Sequence, residues 1–182
     1  MDHTEAIVEI KNIINLQFIK QVKSFIDHRA KTQLRILEGE DKNIRNVKGY
    51  HLNIKNGADI DFKNSTDIFY WNYIKSEIER LYAFYKIKFP RMTSIKINQI
   101  DLLKYSVGGK YEVHTDNFST TPRSLSVIMN LNDDYEGGDL IFTNQQEKEI
   151  KRLKLGKGTI VFFPSNFMYP HSIQPITKGK RY

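Results

Sequence analysis

Apolar residues recur every three or four positions in two stretches of the first half of the chain, from about Thr4 to Ala30 and from about Thr66 to Lys86. This spacing is typical of a helix that turns one face toward a core. The positions that define the two stripes are Ile7, Ile10, Ile14, Phe18, Val22, Phe25 and Ile26, and then Ile68, Trp71, Ile74, Ile78, Leu81 and Tyr85. The sequence therefore predicts two amphipathic helices.

The pattern changes between and after these stretches. The segment from Arg35 to Phe62 is polar and broken by Gly39, Gly49 and Gly57, which predicts short strands and loops. After Pro90, short runs of β-branched and aromatic residues are separated by turn-forming residues; the runs are SIKINQIDLLKYS, SLSVIMNLN, DLIFT and GTIVFFP. Successive strands without helical stretches between them favour a sandwich or jelly roll over an alternating α/β sheet.

Length and charge narrow the class of protein. The chain has 182 residues without a linker, a repeat or a low-complexity tract, which predicts one domain over residues 1–182. Its 28 Lys and Arg exceed its 21 Asp and Glu, giving a net charge of +7, but the basic residues are spread along the chain, so a nucleic-acid partner is not favoured. No apolar run is long enough for export or for a membrane span, and we expect a cytoplasmic protein. Nothing in the sequence indicates an oligomeric state.

The absence of cysteine restricts the chemistry. It excludes disulfides, thiol nucleophiles, iron–sulfur clusters and cysteine-bound zinc, so a metal must take nitrogen and oxygen ligands. In the β-rich half, His114 precedes Asp116 by two positions, and residues so spaced in a strand project from the same face. His171 follows the run GTIVFFP. Two histidines and one carboxylate are the donor set of many non-haem Fe(II) oxygenases.

A His-x-Asp pair also occurs by chance on many protein surfaces, so these residues by themselves leave a surface pair and a metal site open. The surrounding motifs add further information. In order they are YSVGGKYEVHTD at 105–116, RSLSVIMNLND at 123–133, YEGGDLIF at 135–142, GKGTIVFFPS at 156–165 and HSIQPITKGKR at 171–181. Together they resemble the iron(II)- and 2-oxoglutarate-dependent oxygenases, and within them the prolyl 4-hydroxylase-like group.

This resemblance implies a fold of the α+β class that is mainly β, namely a double-stranded β-helix, or distorted jelly roll, braced by N-terminal helices. Residues 1–95 would supply helical support and outer strands, and residues 96–182 would form the metal-binding jelly-roll core. Gly137 and Gly138 are expected to permit a turn between strands rather than to take part in chemistry.

The resemblance also implies roles for individual residues. His114, Asp116 and His171 correspond to the ligands of Fe(II). Arg181 corresponds to the basic residue that pairs with the distal carboxylate of 2-oxoglutarate, and Tyr105 to a tyrosine that donates a hydrogen bond to the same group. Tyr111 and Arg123 match positions that face the substrate in prolyl hydroxylases.

The implied reaction is the hydroxylation of a protein or peptide at proline, with O2 and 2-oxoglutarate consumed, succinate and CO2 released, and ascorbate as an additional cofactor. Two alternatives stay open: the same chemistry on a nucleic-acid base or a free amino acid, and a metal-binding jelly-roll module without turnover. Members of the group continue beyond the basic residue, whereas this sequence stops at Tyr182, so we expect either a truncated sequence or a missing terminal strand.

Overall fold

The computed structural model describes residues 3–34, 41–55, 59–60, 64–117 and 122–182. The chain divides into two compact units, one made of Met1–Gly49 and Leu103–Tyr182 and the other of Tyr50–Leu102. The expected single domain stays a prediction.

The described residues form a short 3-10 helix, two α-helices and fourteen strands. The helices are His3–Ala6 (3-10), α1 (Leu16–Arg29) and α2 (Ser65–Lys88). The strands are β1 (Val8–Ile10), β2 (Thr32–Gln33), β3 (Arg45–Asn46), β4 (Lys48–Lys55), β5 (Asp59–Ile60), β6 (Gln99–Lys104), β7 (Lys110–His114), β8 (Leu125–Asn130), β9 (Tyr135–Gly137), β10 (Leu140–Thr143), β11 (Glu149–Leu153), β12 (Thr159–Pro164), β13 (His171–Ile173) and β14 (Ile176–Gly179).

The first unit is built on two antiparallel sheets. One has the strand order β1-β12-β8 and the other β11-β10-β13-β7-β3, and β9 pairs with β14 in a small separate ribbon. Strand β12 is central in its sheet and buried along nearly its whole length, as its uninterrupted apolar run requires. Phe163 of β12 and Phe142 of β10 meet edge to face in the core, with ring centroids 5.0 Å apart. The mainly β, jelly-roll prediction is confirmed.

The first predicted helix is shorter than its apolar pattern suggested. Residues 8–10 form strand β1, which pairs with β12 from Val8 opposite Phe162 to Ile10 opposite Ile160. The helix begins only at Leu16 because the Asn15 side chain accepts hydrogen bonds from the backbone N–H groups of the first turn. The prediction of a helix from Thr4 was therefore wrong for its first turns, since strand pairing outweighs the helical spacing there.

The second predicted helix is confirmed as α2, in the second unit. Asn64 caps its start by accepting a hydrogen bond from the backbone of Asp67, and Pro90 follows its end, where proline disfavours helical backbone at the preceding residue. Its buried face is close to the one predicted, although Ile68 is exposed. Strand β4 pairs with β5 and β6.

The other predicted segments have mixed outcomes. The runs that became β8, β10 and β12 are confirmed as strands. The run after Pro90 was predicted too long, because residues 93–98 are irregular and the strand starts at Gln99. Short strands between the helices are confirmed, while Gly39 and Gly57 lie outside the described residues. No described helix has the length and apolarity that a membrane crossing needs.

Candidate metal centre

The structure brings together the three predicted metal-binding side chains. His114 is the last residue of β7, His171 is the first residue of β13, and the two lie opposite each other where these strands pair. One ligand atom from each of His114, Asp116 and His171 lies within 4.8 Å of the other two. This is the spacing that a single divalent ion can bridge.

Asp116 reaches this cluster in a different way from the one the sequence suggested. Strand β7 ends at His114, and Asp116 lies in the bend beyond it. The expectation that both residues share a strand face was therefore wrong, although their ligand atoms lie close together. The Asp116 Oδ1 atom lies 3.5 Å from His114 Nε2, and its Oδ2 atom lies 3.6 Å from His171 Nε2.

Backbone carbonyls fix the orientation of both imidazoles. His114 Nδ1 lies 2.8 Å from the carbonyl oxygen of Glu112, and His171 Nδ1 lies 3.1 Å from that of Tyr169. Because a carbonyl oxygen only accepts, each Nδ1 must carry a hydrogen and donate it, and in the neutral form of the ring Nε2 then has the lone pair. Two such nitrogens and the carboxylate thus face one another as electron-pair donors, an arrangement that a cation stabilises.

Local electrostatics act on the protonation states of His171 and Asp116. Burial lowers the pKa of His171 to about 4, against the opposing effect of the Asp116 carboxylate. Burial would raise the pKa of Asp116, but the neighbouring imidazoles and the Ser126 hydroxyl outweigh it and hold that pKa well below its usual range. At neutral pH the cluster therefore offers a neutral imidazole at His171 and an ionised carboxylate.

A bulge in β7 places an aromatic ring against one of these imidazoles. The pairing of β7 with β13 shifts between Ile173 opposite Tyr111 and His171 opposite His114, so three steps on β7 match two on β13. As a result Tyr111 stacks on His114, with ring centroids 3.5 Å apart and planes 18° apart. The Arg45 guanidinium lies 4.6 Å from the centroid of the Tyr111 ring. The Tyr111 ring thus contacts both the Arg45 guanidinium and the His114 imidazole.

Asp116 also has contacts with the side chains of Ser126 and Arg123. Ser126 donates a hydrogen bond to Asp116 Oδ2 at 2.5 Å, and its oxygen lies 2.7 Å from the Ser165 hydroxyl. Arg123 Nη1 lies 3.4 Å from the backbone carbonyl of Asp116, and the Arg123 N–H donates to the Asn117 side chain. Both predicted substrate residues thus lie next to a predicted metal ligand, Tyr111 next to His114 and Arg123 next to Asp116.

Arg181 is a buried cation. Its backbone forms an isolated antiparallel bridge with Tyr105, and its guanidinium donates from Nε to the Asn130 side chain at 3.1 Å and from Nη1 to the carbonyl of Gly138 at 3.0 Å. Only 4% of Arg181 is exposed, and no carboxylate of the described residues forms an ion pair with it. A buried charge without a counter-ion is costly, so this arrangement is suited to an anion.

Strand β8 contacts both Arg181 and the candidate metal ligand Asp116. Ser126, which binds Asp116, and Asn130, which binds Arg181, are four residues apart on β8 and so project from the same face. Their Cα atoms are about 13 Å apart along an extended strand. Sequence analysis missed both residues. The signal available for them was that both are polar, lie an even number of positions apart and interrupt the otherwise apolar run LSVIMN.

Comparison with protein families gives a match over the second half of the chain. A sequence profile described as the 2OG-Fe(II) oxygenase superfamily matches residues 100–182, which include all seven predicted site residues. A PKHD-type hydroxylase from Prochlorococcus marinus is 32% identical over 136 residues, covering 72% of this chain and 58% of that protein. Prolyl 3-hydroxylase 2 from Homo sapiens is 39% identical over 62 residues, covering 34% of this chain and 9% of that protein. The chain thus spans less than two thirds of each relative.

A solved structure extends the likeness to nearly the whole chain. It is a prolyl hydroxylase from Trichoplax adhaerens in complex with a peptide fragment of the hypoxia inducible factor oxygen degradation domain. The TM-score is 0.72 at 16% sequence identity, and the match covers 98% of this chain and 82% of that one. At this identity the match supports the fold, in agreement with the two sheets described above.

Proposed function

We propose that this chain, which matches the profile of the 2OG-Fe(II) oxygenase superfamily over residues 100–182, is a member of the prolyl 4-hydroxylase-like group of that superfamily. In this proposal it hydroxylates a protein or peptide, most readily at proline, using Fe(II), 2-oxoglutarate and O2. The observation that carries the proposal is the convergence of His114, Asp116 and His171 on one point. A cytoplasmic location is part of the same proposal.

The donor set fits ferrous iron. Two imidazole nitrogens and one carboxylate oxygen suit a divalent first-row metal and would leave coordination positions open for other ligands. In this proposal His114 and His171 bind through Nε2 and Asp116 binds through its carboxylate. The bound iron supplies the oxidising chemistry, in which O2 and 2-oxoglutarate are converted to succinate, CO2 and a hydroxyl group on the substrate. The protein supplies position and charge.

Arg181 is the proposed partner of the distal carboxylate of 2-oxoglutarate. Its guanidinium already has two hydrogen bonds to neutral oxygens and has donors left over, so it can bind a carboxylate without releasing the bonds that hold it. Tyr105, whose backbone bridges that of Arg181, is proposed to add a hydrogen bond from its hydroxyl. Because Ser126 and Asn130 share one face of β8, a dicarboxylate can extend from the metal cluster toward Arg181.

The choice of a proline-containing peptide is supported by the relatives. One matched protein is called a prolyl 3-hydroxylase, and the solved structure described above holds a peptide fragment. In this chain, Tyr111 and Arg123 lie directly beside the predicted ligands, where they would contact a bound peptide. They are therefore the proposed substrate-facing residues.

A turnover assay tests this proposal. The protein is incubated with Fe(II), ascorbate, 2-oxoglutarate and a panel of proline-rich peptides, and both succinate and peptide mass are measured. The matched controls are peptides in which each proline is replaced by alanine. We expect succinate release together with a gain of one oxygen atom only in proline-containing peptides. Equal oxidation of the alanine peptides would overturn the proline assignment, and no peptide-stimulated succinate would overturn the peptide assignment.

A further inference from the structure

We propose that Ser126, supported by Ser165, is a positioning residue that determines which oxygen of Asp116 faces the metal. The inference rests on the proposed function and deepens it. It starts from two contacts outside the predicted ligand set, the 2.5 Å hydrogen bond from Ser126 to Asp116 Oδ2 and the 2.7 Å contact between the two serine hydroxyls.

The chemistry of the groups sets the direction of this chain of hydrogen bonds. An ionised carboxylate only accepts, so the Ser126 hydroxyl must give its hydrogen to Asp116. The Ser126 oxygen is then available only as an acceptor, and the Ser165 hydroxyl must donate to it. Each bond polarises the next, which strengthens the bond at the carboxylate.

Burial indicates that Ser165 is dedicated to this contact. Only 1% of Ser165 is exposed, and within the part of the chain that the structure describes its hydroxyl has Ser126 as its partner. Its backbone N–H donates to the carbonyl of Ser124, which ties the end of β12 to the start of β8. The pairing of these two strands thus keeps the two hydroxyls close together.

The consequence is that Asp116 presents one oxygen to the metal. Oδ2 accepts a charge-assisted hydrogen bond, which makes it a weaker donor to a metal and favours Oδ1, the atom nearer His114 Nε2, as the ligand. Two imidazoles and one carboxylate oxygen would hold the metal and would leave room for a chelating 2-oxo acid and one further position for O2. A carboxylate that used both oxygens would fill that position. Ser126 therefore keeps it open.

Metal binding without turnover tests the inference. Co(II), a redox-stable substitute for Fe(II), is titrated calorimetrically into metal-free wild type, Ser126→Ala, Ser126→Thr and Ser165→Ala, and the visible spectrum of each Co(II) complex is recorded. Ser124→Ala is the matched control, since Ser124 is an exposed neighbour on the same segment. Circular dichroism of each metal-free variant checks the fold.

We expect Ser126→Ala to weaken Co(II) binding by about 10- to 100-fold and to change its spectrum, as is typical when a group that orients a ligand is removed. Ser165→Ala should give a smaller change in the same direction, and Ser126→Thr, which keeps the hydroxyl, should restore the wild-type value. A Ser126→Ala variant with wild-type affinity and spectrum would overturn the role of Ser126. If Ser126→Ala fails to fold, the Ser165→Ala comparison decides in the same way. Failure of wild type itself to bind Co(II) would instead overturn the proposed metal site.

Discussion

The backbones of Tyr105 and Arg181 are joined by two reciprocal hydrogen bonds, each 2.9 Å long, from the N–H of one residue to the carbonyl oxygen of the other. This bridge fixes the Arg181 backbone while Asn130 and Gly138 fix its guanidinium. The positive charge is thereby held in a buried position before any anion arrives. Such pre-organisation lowers the cost of binding, because little ordering remains to be done.

We therefore expect Arg181→Gln to raise the KM for 2-oxoglutarate by about 10- to 100-fold, because a charged hydrogen bond to a desolvated carboxylate contributes about 1.5–3 kcal/mol. Arg152→Gln is the matched control, since Arg152 is exposed and already paired with Glu149 and Asp139. Steady-state kinetics with varied 2-oxoglutarate measure the effect. An unchanged KM in Arg181→Gln would remove this residue from the cosubstrate site.

His114→Ala should abolish both Co(II) binding and peptide-stimulated succinate release while leaving the far-ultraviolet circular dichroism unchanged. The reason is that His114 is at the end of a strand and only partly buried, so its loss removes a ligand without opening a large cavity. His51→Ala serves as a control at a histidine outside the cluster. Retained metal binding in His114→Ala would contradict the ligand assignment.

Tyr111 should affect the metal through its ring. Its stack on His114 limits the motion of that imidazole, and aromatic stacking contributes about 0.5–1.5 kcal/mol. We expect Tyr111→Leu to weaken Co(II) binding by about 2- to 10-fold and Tyr111→Phe to have little effect, as measured by calorimetry. If Tyr111→Leu changes only the KM for the peptide, the ring contacts substrate but does not position His114.

The pKa of His171 predicts a pH dependence of stability in the metal-free protein. Because burial lowers this pKa from 6.5 to about 4, the unfolded chain takes up the proton first as the pH falls. The contribution of His171 to the free energy of unfolding is therefore fully present above about pH 6.5. It falls by roughly 3 kcal/mol as the pH is lowered toward 4. Urea unfolding at a series of pH values should show this slope in wild type and in His28→Gln, a variant at an exposed helix histidine, but not in His171→Gln.

Gly138 should be intolerant of a side chain. Its φ is +69°, and an added Cβ would lie 2.4 Å from Ile176 Cδ1 and 3.3 Å from the Tyr135 ring. We expect Gly138→Ala to lower the free energy of unfolding by about 1–3 kcal/mol. Gly156→Ala is the control, because its nearest contact would be an ordinary 3.8 Å from Thr159. Equal stability of the two variants in urea would contradict the expected strain.

The sequence predicted the parts of the fold that depend on local pattern. The central strand β12 and helix α2 followed from an uninterrupted apolar run and from helical spacing. The N-terminal boundary of α1 did not, because residues 8–10 are held by pairing with a strand far along the chain. Spacing alone carries no information about such a partner.

In the candidate site, too, some features follow from the sequence pattern and others depend on how distant strands pair. The order of the motifs was enough to predict that His114 and His171 lie close together, as they do in the structure. It was also enough to identify Arg181 as a candidate site residue. It could not reveal the contact between Arg45 and Tyr111, which depends on the register of β3 and β7, or the stack of Tyr111 on His114, which depends on a bulge. Nor could it identify Ser126, whose role follows from where Asp116 leaves the strand.

The position of β13 has a consequence for when the proposed metal can bind. His171 reaches the cluster only when β13 is inserted between β10 and β7, so the sheet must close before all three donors converge. During synthesis on the ribosome, the nascent chain carries His114 and Asp116 well before His171 emerges. A divalent ion that needs all three donors would therefore bind only after this sheet has assembled.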